Sequence, residues 1–353
     1  MTAHLQIDLA AIRHNVRTLA ALAAPSRTMF AVKADAYGLG MVPVARAGLD
    51  AGADSLAVLD VPAALTLREA GITAPLFAWL HGARTDFGAA IAADIDLGVS
   101  SPLELGRIAD AATDVPARVH LKIDTGLHRN GADPETWPEL VSTARSMEVD
   151  GRVRIVGLWS HLADASPADD AIALAEFRSA VAVAAALGVP VEGPDRVLLH
   201  LAASSAGIRM PEARLDLVRF GIAAYGVSPF DDIRAGEFGM RGPVRLIAEV
   251  IEVSEGRAVL DVGSADGLPP SVLHPARGAE VLLGGVRTRV LQVDVDTITV
   301  EAAPGVQTGA EAIVYGPGDD GEPTVEDWAD WAGSIGDEIL SRASRRIPRS
   351  YND

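Results

Sequence analysis

A chain of 353 residues with 49% hydrophobic and 22% charged side chains is long enough for two domains, or one large domain with an appendage, and has the balance of a soluble globular protein. Its net charge of −18 argues against nucleic-acid and anionic-membrane binders, which need clustered Lys and Arg, but leaves room for a local pocket for one phosphate. With no cysteine, disulfides and thiolate metal sites are excluded, and no metal is expected.

The first eight residues, Met1-Thr2-Ala3-His4-Leu5-Gln6-Ile7-Asp8, lack the basic region and apolar core of a signal peptide. No apolar run reaches the ~18 residues of a membrane span, because Glu176 and Arg178 cut the Ala-rich stretch 171–189. A cytoplasmic location is therefore expected. Residues 7–23 predict a helix, with Leu9, Ile12, Val16 and Leu19 at helical spacing. Strand-like runs then follow at 28–33, 55–59, 75–79, 96–99, 117–123, 153–159, 196–200 and 216–219. Helical patterns lie between them, at 61–70, 102–112, 134–147 and 166–187. Pro102 behind Ser100-Ser101 fits the first helical position after a capping serine. Eight strands with interleaved helices predict an α/β fold, a parallel (β/α)8 TIM-type barrel, over residues 1–231. The rival doubly wound sheet lacks its Gly-x-Gly-x-x-Gly fingerprint.

Past residue 232 the pattern changes to β-rich segments at 246–253, 258–262, 280–283, 288–300 and 310–315, with period-2 alternation in the fourth. Thr324-Val325-Glu326-Asp327 opens a helix running towards Arg345. A mostly β C-terminal domain with a terminal helix is expected over 232–353.

The stretch Ala31-Val32-Lys33-Ala34-Asp35-Ala36-Tyr37-Gly38-Leu39-Gly40 places a lysine at the end of the first barrel strand, before a glycine-punctuated turn. A desolvated lysine there loses its proton readily enough to form an imine with a carbonyl. Barrel enzymes carry their sites at the C-terminal ends of the strands. Lys33, Lys122, Asp124, His161, Ser204 and Arg219 all fall there on these assignments.

The Lys33 string resembles the cofactor-lysine motif of the alanine racemases, fold-type III enzymes that use pyridoxal 5′-phosphate (PLP). The resemblance runs nearly end to end. It includes Ile7 to Asn15, Leu67 to Pro75, Leu121 to Gly131, Trp159-Ser160-His161-Leu162-Ala163, Val218 to Gly226 and Arg346-Ile347-Pro348-Arg349. The resemblance implies a homodimer whose site is shared between subunits and which acts on a small amino acid. It also implies that the first few residues join the second domain as an extra strand. Lys33 would bind PLP as an imine and serve as the acid/base on one face. Arg219 would face the pyridine nitrogen, flanked by His161. Arg129 would reach the ring's phenolic oxygen, oriented by Lys122, which relatives carry as a carbamate. An unmodified Lys122 would need an acidic neighbour or a neutral state, with Asp124 the obvious partner. Tyr37, Ser204, Gly221 and Ile222 would hold the phosphate through hydroxyls and backbone N–H groups.

Three departures from the family pattern stand out. Ser264, in Gly263-Ser264-Ala265-Asp266-Gly267, replaces the tyrosine that serves as the second acid/base from the partner subunit. Loss of such a group costs about 10²–10⁴ in rate, unless another side chain such as His274 substitutes. Asp337 stands where the family has a phosphate-binding tyrosine. A strand segment is deleted between Val253 and Ala258, with Val295 replacing a methionine and Ala203 an asparagine. The expected activity is a racemase-like isomerisation of L- and D-amino acids. A one-base PLP enzyme with another reaction or substrate, and a non-catalytic PLP-binding protein, are the alternatives.

Overall fold

The computed structural model describes residues 2–274 and 278–353. The chain folds into two compact units interleaved in sequence, one of Met1–Thr18, Ala34–Ala51 and Ile222–Asp353, the other of Leu19–Lys33 and Gly52–Gly221. A strand, β1 (His4–Asp8), precedes the first helix, Leu9–Ala23. The helix expected from residue 7 therefore starts later. Ile7 is fully buried and pairs with Val244, while the Asp8 carboxylate caps the helix by accepting the Ala11 N–H at 3.0 Å.

The unit of Leu19–Lys33 and Gly52–Gly221 is the barrel. Its strands are β2 (Arg27–Ala31), β3 (Ser55–Val58), β4 (Leu76–Ala78), β5 (Ile95–Val99), β6 (Ala117–Lys122), β7 (Val153–Trp159), β8 (Leu198–His200) and β9 (Leu217–Phe220). Each of the eight falls on an expected segment. They run parallel in the order β8-β7-β6-β5-β4-β3-β2-β9. The ring closes where Asp216 N–H donates to Leu199 O at 3.1 Å and Arg219 N–H to Ala202 O at 3.0 Å. Helices Val61–Glu69, Pro102–Ala111, Trp137–Val149 and Pro167–Ala186 match the expected ones, and a further short helix, Phe87–Ala92, was not expected. Ser101 caps its helix, accepting the Glu104 N–H at 3.2 Å with Pro102 at the first position. Met29, Ala57, Phe77, Trp159 and Leu217 fill the interior as one buried cluster.

The other unit is built on a mostly antiparallel sheet. Its strands are β1, β10 (Val244–Ser254), β11 (Arg257–Leu260), β12 (Glu280–Leu283), β13 (Val286–Val293), β14 (Ile298–Glu301), β15 (Glu311–Tyr315) and β16 (Arg349–Asn352). β1 lies between β10 and β16, antiparallel to the first and parallel to the second. After Val253, where a shortened segment is expected, the chain turns in a two-residue hairpin. Glu255 and Gly256 have φ of 50° and 73°, and Ser254 pairs with Arg257. Two successive positive φ angles are the mark of the type I′ turn, whose twist suits paired strands. The expected run 288–300 divides into β13 and β14, joined by a turn in which Asp294 N–H donates to Thr297 O. The expected terminal helix is likewise two, Val325–Ala332 and Gly336–Ser341. Thr324 and Asp327 form a reciprocal capping box at its start, and Gly333, at φ 64°, ends the first helix in the left-handed region. Among the described residues, no helix is long and apolar enough to cross a membrane.

Candidate active site

Arg219 lies on β9, only 7% exposed. One terminal nitrogen, Nη1, donates to His200 Nδ1 at 3.1 Å. The other, Nη2, shares its two hydrogens among Ser160 O and Leu201 O at 2.9 Å and His161 Nδ1 at 3.1 Å. The guanidinium also sits 5.2 Å from the Trp159 ring centroid, a favourable cation–π placement. Burial, with the repulsion of Arg129 added, lowers its pKa to about 9. It remains a cation at neutral pH. Nη1 still has a second N–H to offer a ligand, since a guanidinium carries five donors and no acceptor.

His161 accepts from Arg219, so its neutral ring presents Nε2–H. Burial, then the charges of Arg219, Arg129, Lys122 and Lys33, hold its pKa well below the ordinary imidazole value. The ring is neutral throughout the physiological range.

Lys122 ends β6 and is 2% exposed, with Nζ 4.8 Å from the Trp159 ring centroid. Burial first, then Arg129 and Arg219, lower its pKa to about 7. A large fraction of this amine is therefore neutral at pH 7. Asp124 is not its hydrogen-bond partner, contrary to expectation. The strand ends at Lys122, and the Asp124 carboxylate turns to accept Gly126 N–H at 3.1 Å, His128 N–H at 3.2 Å and His128 Nδ1 at 3.2 Å. Lys122 Nζ donates instead to Asn130 Oδ1. Arg129 is exposed, but its charge acts on Lys122, His161 and Arg219 alike.

Lys33 is half-buried, two residues beyond β2. Directly after it, Ala34, Asp35, Ala36 and Tyr37 adopt φ of 52°, 57°, 54° and 52°. Left-handed backbone costs an L-residue roughly 1–2 kcal/mol, so such a run persists only where its surroundings over-determine it. Internally it is held by Gly38 N–H to Ala34 O at 2.9 Å, Gly40 N–H to Asp35 O at 3.0 Å and Met41 N–H to Asp35 Oδ1 at 2.8 Å. Arg349 Nε donates to Gly38 O at 2.7 Å, and the Tyr351 hydroxyl to Leu39 O at 3.0 Å. Gly38 is required here, since at φ 83° a Cβ would stand 2.7 Å from Leu340 O. The Arg349 of the C-terminal Arg-Ile-Pro-Arg motif thus fixes the turn that follows the lysine.

Tyr37 is buried with its ring 4.6 Å from that of Tyr225. Burial, then the negative charge of Asp337, raises its hydroxyl well above the usual range, so it acts as a neutral donor. Asp337 is half-buried, in the helix Gly336–Ser341. Ser204 is buried at the start of the helix Ser204–Arg209, and its Oγ accepts the Gly221 N–H at 3.1 Å. Ile222, also buried, opens the 3-10 turn Ile222–Tyr225.

The Ser264 loop keeps a firm frame. Asp266 is 1% exposed and accepts Gly263 N–H at 2.9 Å and two bonds from Arg346, at 2.7 and 3.0 Å. The first arginine of the Arg-Ile-Pro-Arg motif therefore anchors this loop. A Cβ on Gly263 would stand 2.5 Å from both Thr297 N and Val295 O, so the glycine permits a backbone contact. Ser264 itself is half-buried, with its N–H donating to Asp294 O at 2.8 Å. Val295 is 64% exposed, and His274 is exposed at the end of the turn Pro270–Leu273.

Asn130, Asp96, His120 and His200 are absent from the expectations. The last three join Arg219 in one buried hydrogen-bonded line. Their signal in the sequence was two histidines inside otherwise apolar barrel strands.

The profile of the alanine racemase N-terminal domain matches residues 7–229, and that of the alanine racemase C-terminal domain residues 249–351. The alanine racemase of Frankia casuarinae is 40% identical to this chain, covering 98% of it and 95% of the relative. Two solved structures, the alanine racemases of Streptomyces lavendulae and Streptomyces coelicolor, superpose with TM-scores of 0.93 at 35% and 37% identity. Each comparison covers 99% of this chain, with 97% and 98% of the respective neighbour. Profiles spanning both parts of the chain, together with relatives matched over nearly their full length, make this protein a member of the alanine racemase family of enzymes.

Proposed function

We propose that this chain is a PLP-dependent isomerase that interconverts the L- and D-forms of a small amino acid, alanine first among them, as a homodimer. The observation that carries the reading is Arg219 held between two neutral imidazoles at the barrel's strand ends, with an N–H to spare. This donor set suits PLP: a cation that cannot surrender its proton faces the pyridine nitrogen, and hydroxyl and N–H donors serve the phosphate. When bound, PLP supplies an electron sink for the substrate's α-carbon. Facing the pyridine nitrogen, Arg219 would give it no proton, so more of the work would fall on positioned bases.

Lys33 would hold PLP covalently and would take or return the α-proton on one face of the substrate. His161 would steady Arg219 through its Nδ1. Arg129 would serve the phenolic oxygen, and Tyr37, Ser204 and the backbone at Gly221 and Ile222 would hold the phosphate. Lys122, neutral in good part at pH 7, has the unprotonated amine whose lone pair could form a C–N bond to carbon dioxide, with one N–H proton released to solvent. The resulting carbamate would set an anion beside Arg129 in place of a second cation.

A second reading rests on Ser264, a short, weakly acidic side chain where the resemblance implies a tyrosine as second acid/base. On that reading the enzyme works from the Lys33 face alone and racemises slowly, or serves another reaction or substrate. Solvent deuterium exchange at the α-carbon of L- and D-alanine, followed separately, tests both. Comparable exchange from each enantiomer supports the two-base racemase. Exchange from one alone supports the one-base enzyme, and exchange from neither, with PLP bound, points to a non-catalytic binder.

A further inference from the structure

The buried line behind Arg219 has a forced direction. A guanidinium only donates, so His200 Nδ1, 3.1 Å from Arg219 Nη1, must accept and carries no proton. His200 then holds its proton on Nε2 and donates it to His120 Nδ1 at 2.9 Å. His120, accepting there, holds its own proton on Nε2 and donates to Asp96 Oδ2 at 3.1 Å. A doubly protonated ring at either position would set donor against donor. Every link therefore points from Arg219 towards the Asp96 carboxylate, through two singly protonated imidazoles.

The line is built into the barrel. His120 and His200 are 1% and 0% exposed. The Trp159 ring stacks on His200 at 3° between planes, and Phe77 lies 4.7 Å from the His120 ring centroid. Gly157 makes the space, since a Cβ there would fall 2.0 Å from His120 Nδ1. At the far end, Arg118 holds Asp96 with its Nε at 2.5 Å and Nη2 at 3.2 Å. Burial alone would raise the Asp96 carboxyl. The bonds from His120 and Arg118 outweigh it and keep the group ionised. Arg219 has no carboxylate in hydrogen-bond contact among the described residues, and of the carboxylates only Asp164 acts on it directly through space, weaker than the burial and the Arg129 charge that oppose it. Hydrogen bonds aligned in one direction at low dielectric polarise one another, so the charge of Asp96 reaches the guanidinium through the rings.

We propose that Asp96 and His120 are positioning residues for Arg219: through His200 they fix which guanidinium hydrogens point away from the cofactor and supply the remote counter-charge that keeps the cation aimed at the pyridine nitrogen. This rests on the PLP reading above, but its first test does not. In full-length protein labelled with 15N-histidine and kept free of PLP, both His120 and His200 are expected as neutral rings protonated on Nε2. A proton on Nδ1 of either ring, or a doubly protonated ring at neutral pH, overturns the proposal whether or not PLP binds. The second test loads Asp96→Asn with PLP. Its side-chain oxygen still accepts from His120, while the charge is gone. A fall of at least tenfold in kcat for alanine with KM within twofold, and a shifted cofactor absorption band, is the expected result. A folded variant with both unchanged refutes the role.

Discussion

The surroundings of Arg219 and the Ser264 loop are held in different ways. In the barrel, Arg219 is engaged by the side chains of His161 and His200, the Trp159 ring, and the backbone carbonyls of Ser160 and Leu201. In the other unit the loop is held by Asp266, gripped by Arg346, and by Gly263 in contact with backbone, and the side chain it displays is the half-buried Ser264. A loop's backbone is fixed by glycines and buried ion pairs, which are costly to change one at a time. The displayed side chain contributes little to folding and is free to change alone. The same division holds in the C-terminal motif, where Arg346 and Arg349 both make structural bonds.

This contrast is most sharply broken at its two chemical ends. Lys33→Ala removes the covalent anchor and an acid/base group together, and is expected to lower α-deuterium exchange by about 10⁴ or more. Retained exchange would show that the barrel side does not carry the chemistry. Ser264→Tyr sets a phenol on the same framed loop, and racemisation is expected to rise by up to about 10²–10⁴, chiefly through the enantiomer that exchanges slowly in the parent. No gain would mean that the loop is no longer aimed at a substrate.

Smaller effects test the frames. Arg349→Ala removes charged donors to Gly38, Ser344, Ile347 and Ala343 carbonyls. A loss of roughly 2–4 kcal/mol is expected in urea unfolding, accompanied by weaker PLP retention as the left-handed turn relaxes. Gly157→Ala presses a methyl into the His120 ring and is expected to cost roughly 1–3 kcal/mol, with the His120 tautomer signal displaced. The pH dependence is the gentlest probe. Burial depresses Lys122 in the fold from 10.5 to about 7, so between those values the unfolded chain binds the extra proton. Lys122 therefore makes stability rise with pH across that window, a slope that Lys122→Met should remove. An unchanged slope in that variant would show that the group is carbamylated or otherwise not titrating.

The eight barrel strands were legible because parallel strands buried on both faces read as short apolar runs. The placement of Lys33, His161, Ser204 and Arg219 on or just past the C-terminal halves of barrel strands was legible for the same reason, because it follows from where those runs end. The partner of Lys122 was misjudged because Asp124, two residues on, would share its face only if the strand continued. It ends at Lys122, and Asp124 caps the following loop. The single terminal helix was broken at Gly333, whose left-handed φ the apolar spacing does not reveal.

Sequence by itself determined the alternation of strands and helices, the β-rich tail and the lysine at the first strand end, because these follow from local periodicity and glycine placement. Only the tertiary structure decided that Asp96, His120 and His200, from three strands and separated by 24 and 80 residues along the chain, form one line to Arg219. Hydrogen-bond direction inside a barrel depends on which side chains the closed ring brings face to face. That is a property of closure, and no local pattern carries it.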